Sequence, residues 1–262
     1  MKERINVLDK GFVKLIDHMG NDASIVQAAK ISYGDEANVP EANEKLIRHL
    51  LKNGHTSPFE QVIFKFYLKL PLFVARQLVR HRTASINEVS GRYSVLKSEA
   101  YLPEISRIKI QGLKDKKELN YLTTQENVYE LFKKEQLKEL ENYNIYLKLG
   151  VTKELGRINL PLSVYTKMYW TMDLHNLLHF LELRLNIHAQ YEIRVYAEAI
   201  KEIINEIVPL TIRAFDDYTL GAKKFSKQEI KTLKNILNIY EQSEKTIVGD
   251  KEKELLKKIK NF

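Results

Sequence analysis

The chain has 262 residues, 44% of them hydrophobic and 29% charged, which is the composition of a soluble globular protein long enough to bury a substantial core. It contains no cysteine, which excludes structural disulfides, cysteine-based zinc sites, iron–sulfur clusters and any thiolate nucleophile. Its net charge of +8 and pI near 9.3 suit anionic partners; Met1–Gly20 holds no signal-peptide core, no apolar run reaches membrane-spanning length, and a cytoplasmic location is the default expectation.

In chain order, Asp22–Ser32 reads as a helix with Ile25, Val26, Ala28 and Ala29 as its buried stripe, ended by Gly34. Glu41–Asn53 reads as a second helix through Leu46, Ile47, Leu50 and Leu51, with Gly54 as its C′ residue. Gly54–Glu60 is polar and turn-rich. Val62–Leu70 then alternates, with Val62, Phe64, Phe66, Leu68 and Leu70 facing one way and Ile63, Lys65, Tyr67 and Lys69 the other, the signature of a half-buried strand. Pro71 ends it and suits the first turn of a helix over Leu72–Arg82, with Leu72, Ala75 and Val79 on one face and a basic end of Arg76, Arg80, His81 and Arg82. Asn120–Leu149 reads as a long helix, Val151–Arg157 as a short one, and Asp173–Val208 as strongly helical up to Pro209. From Gly221 the chain turns lysine-rich, and Ser226 and Glu229 form a capping box ahead of Ile230, Leu233, Ile236, Leu237 and Tyr240 at helical spacing. Several helices with few strands indicate an α+β fold, mixed helices packed on a small antiparallel sheet, with a main domain over residues 1–220 and a helical C-terminal extension over 221–262.

The chemistry concentrates between Arg80 and Tyr93. These fourteen residues hold three arginines, a histidine, a glutamate, an asparagine and two serines. So many polar groups cannot all be core, since each desolvated group needs a partner. They follow a strand and a helix, so they are anchored on rigid elements. Forked guanidinium groups, hydroxyls and a carboxylate are the mixture that holds a phosphorylated nucleotide, and Gly91 lets the backbone approach a ligand. Ser90 reads as a binding group rather than a nucleophile, because no Ser–His pairing is evident nearby in the sequence.

Arg80-His81-Arg82, followed after seven residues by Ser90, resembles the signature of the flavin-dependent thymidylate synthases, and the surrounding Asn87-Glu88 and Arg92-Tyr93 extend the likeness. Three further segments are similar to that family: Gly54-His55 with Ser57-Pro58-Phe59-Glu60, Arg157 with Leu160-Pro161-Leu162, and Arg184 with His188-Ala189-Gln190. The resemblance runs from about Val7 to Pro209 and leaves out the tail beyond Gly221. It implies conversion of dUMP to dTMP with methylenetetrahydrofolate as methylene donor, bound FAD as hydride carrier, NADPH as reductant, and a homotetramer with active sites between subunits. A route without a cysteine nucleophile agrees independently with the absence of cysteine. By the same resemblance, flavin contacts fall on Ser57, Arg80, His81, Arg82, Glu88, Asp173, His175, His179 and His188. Those for dUMP fall on Gln77, Arg80, Glu88, Val89, Ser90, Gly91, Arg92, Arg157 and Arg184. Arg184 would polarise the pyrimidine and favour ionisation at N3, as a fixed guanidinium stabilises developing negative charge. His188, one turn further along, is expected on the same helical face. Asp173 and His179 stand where relatives carry asparagine, and His175 where some carry arginine.

Two other readings compete. His175 and His179 have the i, i+4 spacing of zinc ligands, but a zinc hydrolase needs glutamate after the first histidine, where this chain has Asn176. The basic charge and fourteen tyrosines allow a nucleic-acid-binding protein, but the lysines are spread out and no binding motif is present.

Overall fold

The computed structural model describes residues 4–31, 34, 41–97, 99–108 and 124–243. The chain divides into two compact units, Met1–Leu220 and Gly221–Phe262. The first is built on a five-stranded sheet in the order β1-β2-β3-β5-β4, with every neighbouring pair antiparallel. The strands are β1 (Arg4–Val7), β2 (Gly11–Met19), β3 (Ile63–Pro71), β4 (Ser85–Glu88) and β5 (Tyr165–Asp173).

The alternation read from the sequence is the backbone of this sheet. Phe64, Phe66, Leu68 and Leu70 of β3 are fully buried on one face while Lys65 stays exposed on the other. Burying each such side chain contributes about 1.5–3 kcal/mol. The neighbouring β5 follows the same rule with Thr166, Met168, Trp170 and Met172 inward. Helices then cover the inward face. They are α1 (Asp22–Ile31), α2 (Glu44–Lys52), α3 (Leu72–Leu78), α6 (Leu174–Arg184), α7 (Tyr191–Asn205) and α8 (Pro209–Phe215), and α4 (Gln125–Lys148) and α5 (Lys153–Gly156) complete this unit. In α1, Ile25, Val26 and Ala29 are buried as the spacing requires, and Ala28 is half-buried. In α2, Asn43 caps the first turn by accepting from the Leu46 N–H, and Gly54 takes φ 69°, the left-handed conformation that only glycine adopts freely.

Four expectations are corrected. The helix after Pro71 stops at Leu78, so Arg80, His81 and Arg82 lie beyond it, and its buried face is Val74, Ala75 and Leu78 rather than Leu72, Ala75 and Val79. The short helix expected up to Arg157 is only Lys153–Gly156, and Arg157 opens a 3-10 turn. Asp173–Val208 is not one helix: Asp173 belongs to β5, and α6 and α7 are separated at residues 185–190. Asn186 makes that break, its side-chain oxygen accepting from the His188 N–H at 2.9 Å and its carbonyl from the Ala189 N–H at 2.9 Å. Such local bonds compete with the helical ladder. Finally, Pro209 starts a helix rather than merely ending one. The buried Asp22 carboxylate caps it, accepting from the Leu210 and Thr211 N–H groups and the Thr211 hydroxyl at 2.8, 3.1 and 2.6 Å.

Ser32, expected to close the first helix, and residues 120–123 of the long expected helix lie outside the described residues; the rest of the latter is α4. In the second unit, α9 (Lys227–Ser243) begins with the capping box read from the sequence, with reciprocal bonds between Ser226 and Glu229 at 3.3 and 2.7 Å. The side chains of Leu237 and Tyr240 lie outside the described residues.

Candidate active site

Two strands of the sheet deliver the site. At Pro71 β3 hands over to α3, and at Asp173, the opposite end of the antiparallel pair, β5 hands over to α6, whose Phe180 packs on Trp170. Asp173 makes the second turn sharp. It is the N-cap of α6, and its two carboxylate oxygens accept from the backbone and side-chain N–H groups of Asn176 at 2.9 and 2.8 Å. Aspartate is among the strongest residues at such a cap.

Between the end of α3 and the outer face of α6 lies a cavity of about 270 Å³ lined by Arg80, His81, Arg82, Thr83, Met172, Asn176, His179, Leu183 and Arg184. Three guanidinium groups, an amide and a hydroxyl face it, and no carboxylate lines it among the described residues. His81 is 8% exposed. Its ring meets Phe180 edge-on at 5.0 Å, and Phe180 in turn meets Trp170 at 5.1 Å. The Nε–H of Arg184 donates to His81 Nε2 at 3.1 Å, and Nη2 of Arg184 donates to the Gln77 carbonyl at 3.4 Å. A nitrogen that accepts carries no proton, so His81 is neutral with its proton on Nδ1. Burial first, and the charges of Arg184 and His179 second, push the imidazole down to about 4. Burial also lowers the Arg184 guanidinium from its ordinary value. The side-chain amide of Gln77 donates to Gln190 Oε1 at 2.5 Å, which ties the end of α3 to the start of α7.

A second cluster sits at the other end of β4. The Val89 N–H bonds to the Lys167 carbonyl, and the Ser90 hydroxyl oxygen accepts from the Arg92 N–H at 3.3 Å. Arg92 pairs with Glu154 at 2.9 Å. Gly91 is buried beneath Arg157: a Cβ there would meet Arg157 Cδ at 2.8 Å. The glycine thus admits a neighbouring side chain, where the sequence suggested a ligand. Glu88 accepts from the Thr166 hydroxyl at 2.7 Å.

Of the residues singled out in the sequence, Arg80, His81, Arg82, His179 and Arg184 line the cavity, with Gln77 bonded to Arg184 behind it. Val89, Ser90, Gly91, Arg92 and Arg157 form the second cluster, and Glu88 stands between. Ser57 is exposed in the turn after α2, His175 is half-buried on the first turn of α6, and His188 is exposed in the α6–α7 connection. His188 therefore does not share a helical face with Arg184, because the helix ends between them. Sequence reading passed over Asn176 as a site residue and gave Gln190 no role of its own. The i, i+3 pairing of Asp173 with Asn176, a helix-start pattern, was the signal available for the first. Among the described residues no group of three metal-ligating side chains occurs, so His175 and His179 lack the further ligands of a zinc site. A larger open groove, about 900 Å³, runs along α4, but it presents a solvated mix of lysines, glutamates and leucines.

A sheet-and-helix fold carrying an arginine-rich cavity between the ends of two of its helices is the class that this geometry defines. Comparison with known proteins gives the family. Residues 14–210 match the thymidylate synthase complementing protein family, and the chain belongs to it. It is 49% identical over 234 residues to the flavin-dependent thymidylate synthase of Ehrlichia ruminantium (strain Gardel), covering 88% of this chain and 79% of that protein. It is 47% identical over 259 residues to a flavin-dependent thymidylate synthase of Thermus thermophilus, covering 97% and 95%. The crystal structure of the UMP/dUMP methylase PolB from Streptomyces cacaoi, bound with 5-Br dUMP, superposes with a TM-score of 0.70 at 30% identity, covering 82% of this chain and 98% of that one.

Proposed function

We propose that this chain methylates dUMP to dTMP, with methylenetetrahydrofolate as one-carbon donor and NADPH as reductant. The observation that carries the reading is the partly buried Arg184–His81 pair at the wall of a cavity with three guanidinium groups and, among the described residues, no carboxylate, in a chain of this family. The cavity fits FAD in chemistry, since the guanidinium groups favour a ring that becomes anionic on reduction and Met172 and Leu183 offer apolar wall. When bound, FAD supplies the hydride that completes the methyl group.

The chain's residues then divide by place. Arg80, Arg82 and His179 hold the flavin, with His81 behind them against Arg184 and with Ser57, Glu88, His175 and His188 as outer contacts, and Asp173 acts by fixing Asn176 on the cavity wall. Arg184 and Gln77 hold the pyrimidine, and the Arg184 guanidinium stabilises negative charge as N3 ionises. Arg80 reaches both ligands. Glu88, Val89, Ser90, Gly91, Arg92 and Arg157 hold the rest of dUMP.

Within one chain these groups fall in two clusters rather than one. Met172 lines the cavity while Lys167 anchors the second cluster, and five residues of extended strand separate them by about 16 Å. A cavity of about 270 Å³ is also small for a dinucleotide, since sites that enclose drug-sized ligands measure roughly 300–1,000 Å³. Both facts support an active site shared between subunits of a homotetramer, the second cluster of one chain completing the cavity of another. No helix among the described residues is long and apolar enough to cross a membrane, and we assign the enzyme to the cytoplasm.

The visible spectrum of the purified protein tests the function. A yellow protein whose flavin NADPH bleaches, and which forms dTMP only with dUMP and methylenetetrahydrofolate present, supports it. A protein that takes up no FAD overturns it.

A further inference from the structure

Arginine side chains at binding sites are commonly oriented by a carboxylate, which fixes the guanidinium but also neutralises it. Among the described residues Arg184 has no such partner: its Nε–H goes to an imidazole nitrogen and its Nη2 to a backbone carbonyl. Both acceptors are uncharged. We infer that His81 is a positioning residue for Arg184, a neutral acceptor that fixes the guanidinium while leaving its positive charge for the pyrimidine. The inference rests on the proposed role of Arg184 at the pyrimidine.

Three observations carry it. His81 is nearly enclosed, against Phe180 on one side and the edge of His179 on the other, so its ring cannot turn away. Its Nε2 lone pair is committed to Arg184, which fixes the tautomer. The groups around it are cationic or uncharged: Arg184 and His179 from α6, Arg80 and Arg82 along its own segment, and Trp170 on β5 behind Phe180. A protonated imidazole there would lose the bond and repel Arg184, and burial holds the ring unprotonated. With Nε and one Nη2 hydrogen engaged, the Nη1 end of the guanidinium remains to donate to a pyrimidine edge.

The test compares nearly isosteric replacements. Glutamine places an uncharged oxygen about where His81 Nε2 stands; glutamate places a charged one there; alanine leaves nothing. Dissociation constants for dUMP are measured by equilibrium dialysis on the FAD-loaded protein, and FAD content by visible absorbance. His81→Gln is expected to bind dUMP within about threefold of the parent, whereas His81→Glu and His81→Ala weaken it by about tenfold or more, in line with a lost charged hydrogen bond. A role in packing alone would rank Gln with Glu. Each replacement is repeated with Arg184→Ala, where the difference between Gln and Glu should vanish. If that difference persists without Arg184, His81 acts directly on a ligand and the inference fails while the function stands. If Arg184→Ala itself leaves dUMP affinity unchanged, the reading of the pyrimidine site falls, and the inference with it.

Discussion

The two ends of β4 use arginine in opposite ways. At one end Arg184 is partly desolvated and held by uncharged acceptors, so its charge is available. At the other, Arg92 and Glu154 are both 54% exposed and paired to each other in solvent. Desolvated charge without a counter-ion is a strong, directional donor for a ligand, whereas an exposed pair is worth little and exchanges readily. The first arrangement suits the centre where charge develops during reaction, and the second suits a surface that opens and closes around a nucleotide's polar end.

The contrast can be broken most severely at Arg184. Arg184→Ala should lower dTMP formation by about 10²–10³-fold, the usual loss for a donor aimed at developing charge, with far-ultraviolet circular dichroism unchanged. Near-normal turnover would remove Arg184 from the chemistry. The next effect is on pH dependence. His81 lies near 4 in the folded chain against an ordinary value of 6.5, so between these values the unfolded chain binds a proton that the folded chain does not. Its contribution to stability is therefore complete above about 6.5 and falls with pH towards 4, by about 3 kcal/mol. Urea midpoints measured at steps across that window should show the slope, and His81→Gln should flatten it; identical slopes in both proteins would contradict the buried neutral imidazole.

At the second cluster Gly91→Ala should push Arg157 aside, at a cost of about 1–3 kcal/mol of overpacking, and weaken dUMP binding measured by equilibrium dialysis. Unchanged affinity would separate Arg157 from the nucleotide. The smallest effect belongs to the exposed pair: Glu154→Gln should change folding stability by less than about 1 kcal/mol in thermal melts, and a larger loss would show that the pair is not a solvated contact.

Much of this was open to sequence reasoning where the pattern is local. The alternation of β3, the Gly54 stop of α2 and the capping box of Ser226 and Glu229 each follow from neighbouring residues, and each appears in the fold, whereas α2 starts at Glu44 on its Asn43 cap rather than at Glu41. The density of polar groups from Arg80 to Tyr93 marks the stretch from which Arg80, His81, Arg82 and Thr83 line the cavity. The rest depends on distant residues. The inward face of β5 uses Thr166 and two methionines beside Trp170, a weaker alternation than that of β3, and β2 slips its phase at an irregularity between Leu15 and Asp17. The four exposed residues of β4 are a strand only because β5 lies beside them. Arg184 and His81 stand 103 positions apart, so no periodicity could pair them, and the break at Asn186 that places Arg184 at a helix end competes with strong helical spacing on either side.

Trp170 is the chain's single tryptophan. It is fully buried, its indole N–H has no hydrogen-bond partner among the described residues, and Phe180 touches both its ring and that of His81. With excitation at the red edge, where the fourteen tyrosines do not absorb, the emission of this protein therefore comes from one buried indole beneath the cavity floor, and its colour and intensity give a built-in optical gauge of how tightly that floor is closed.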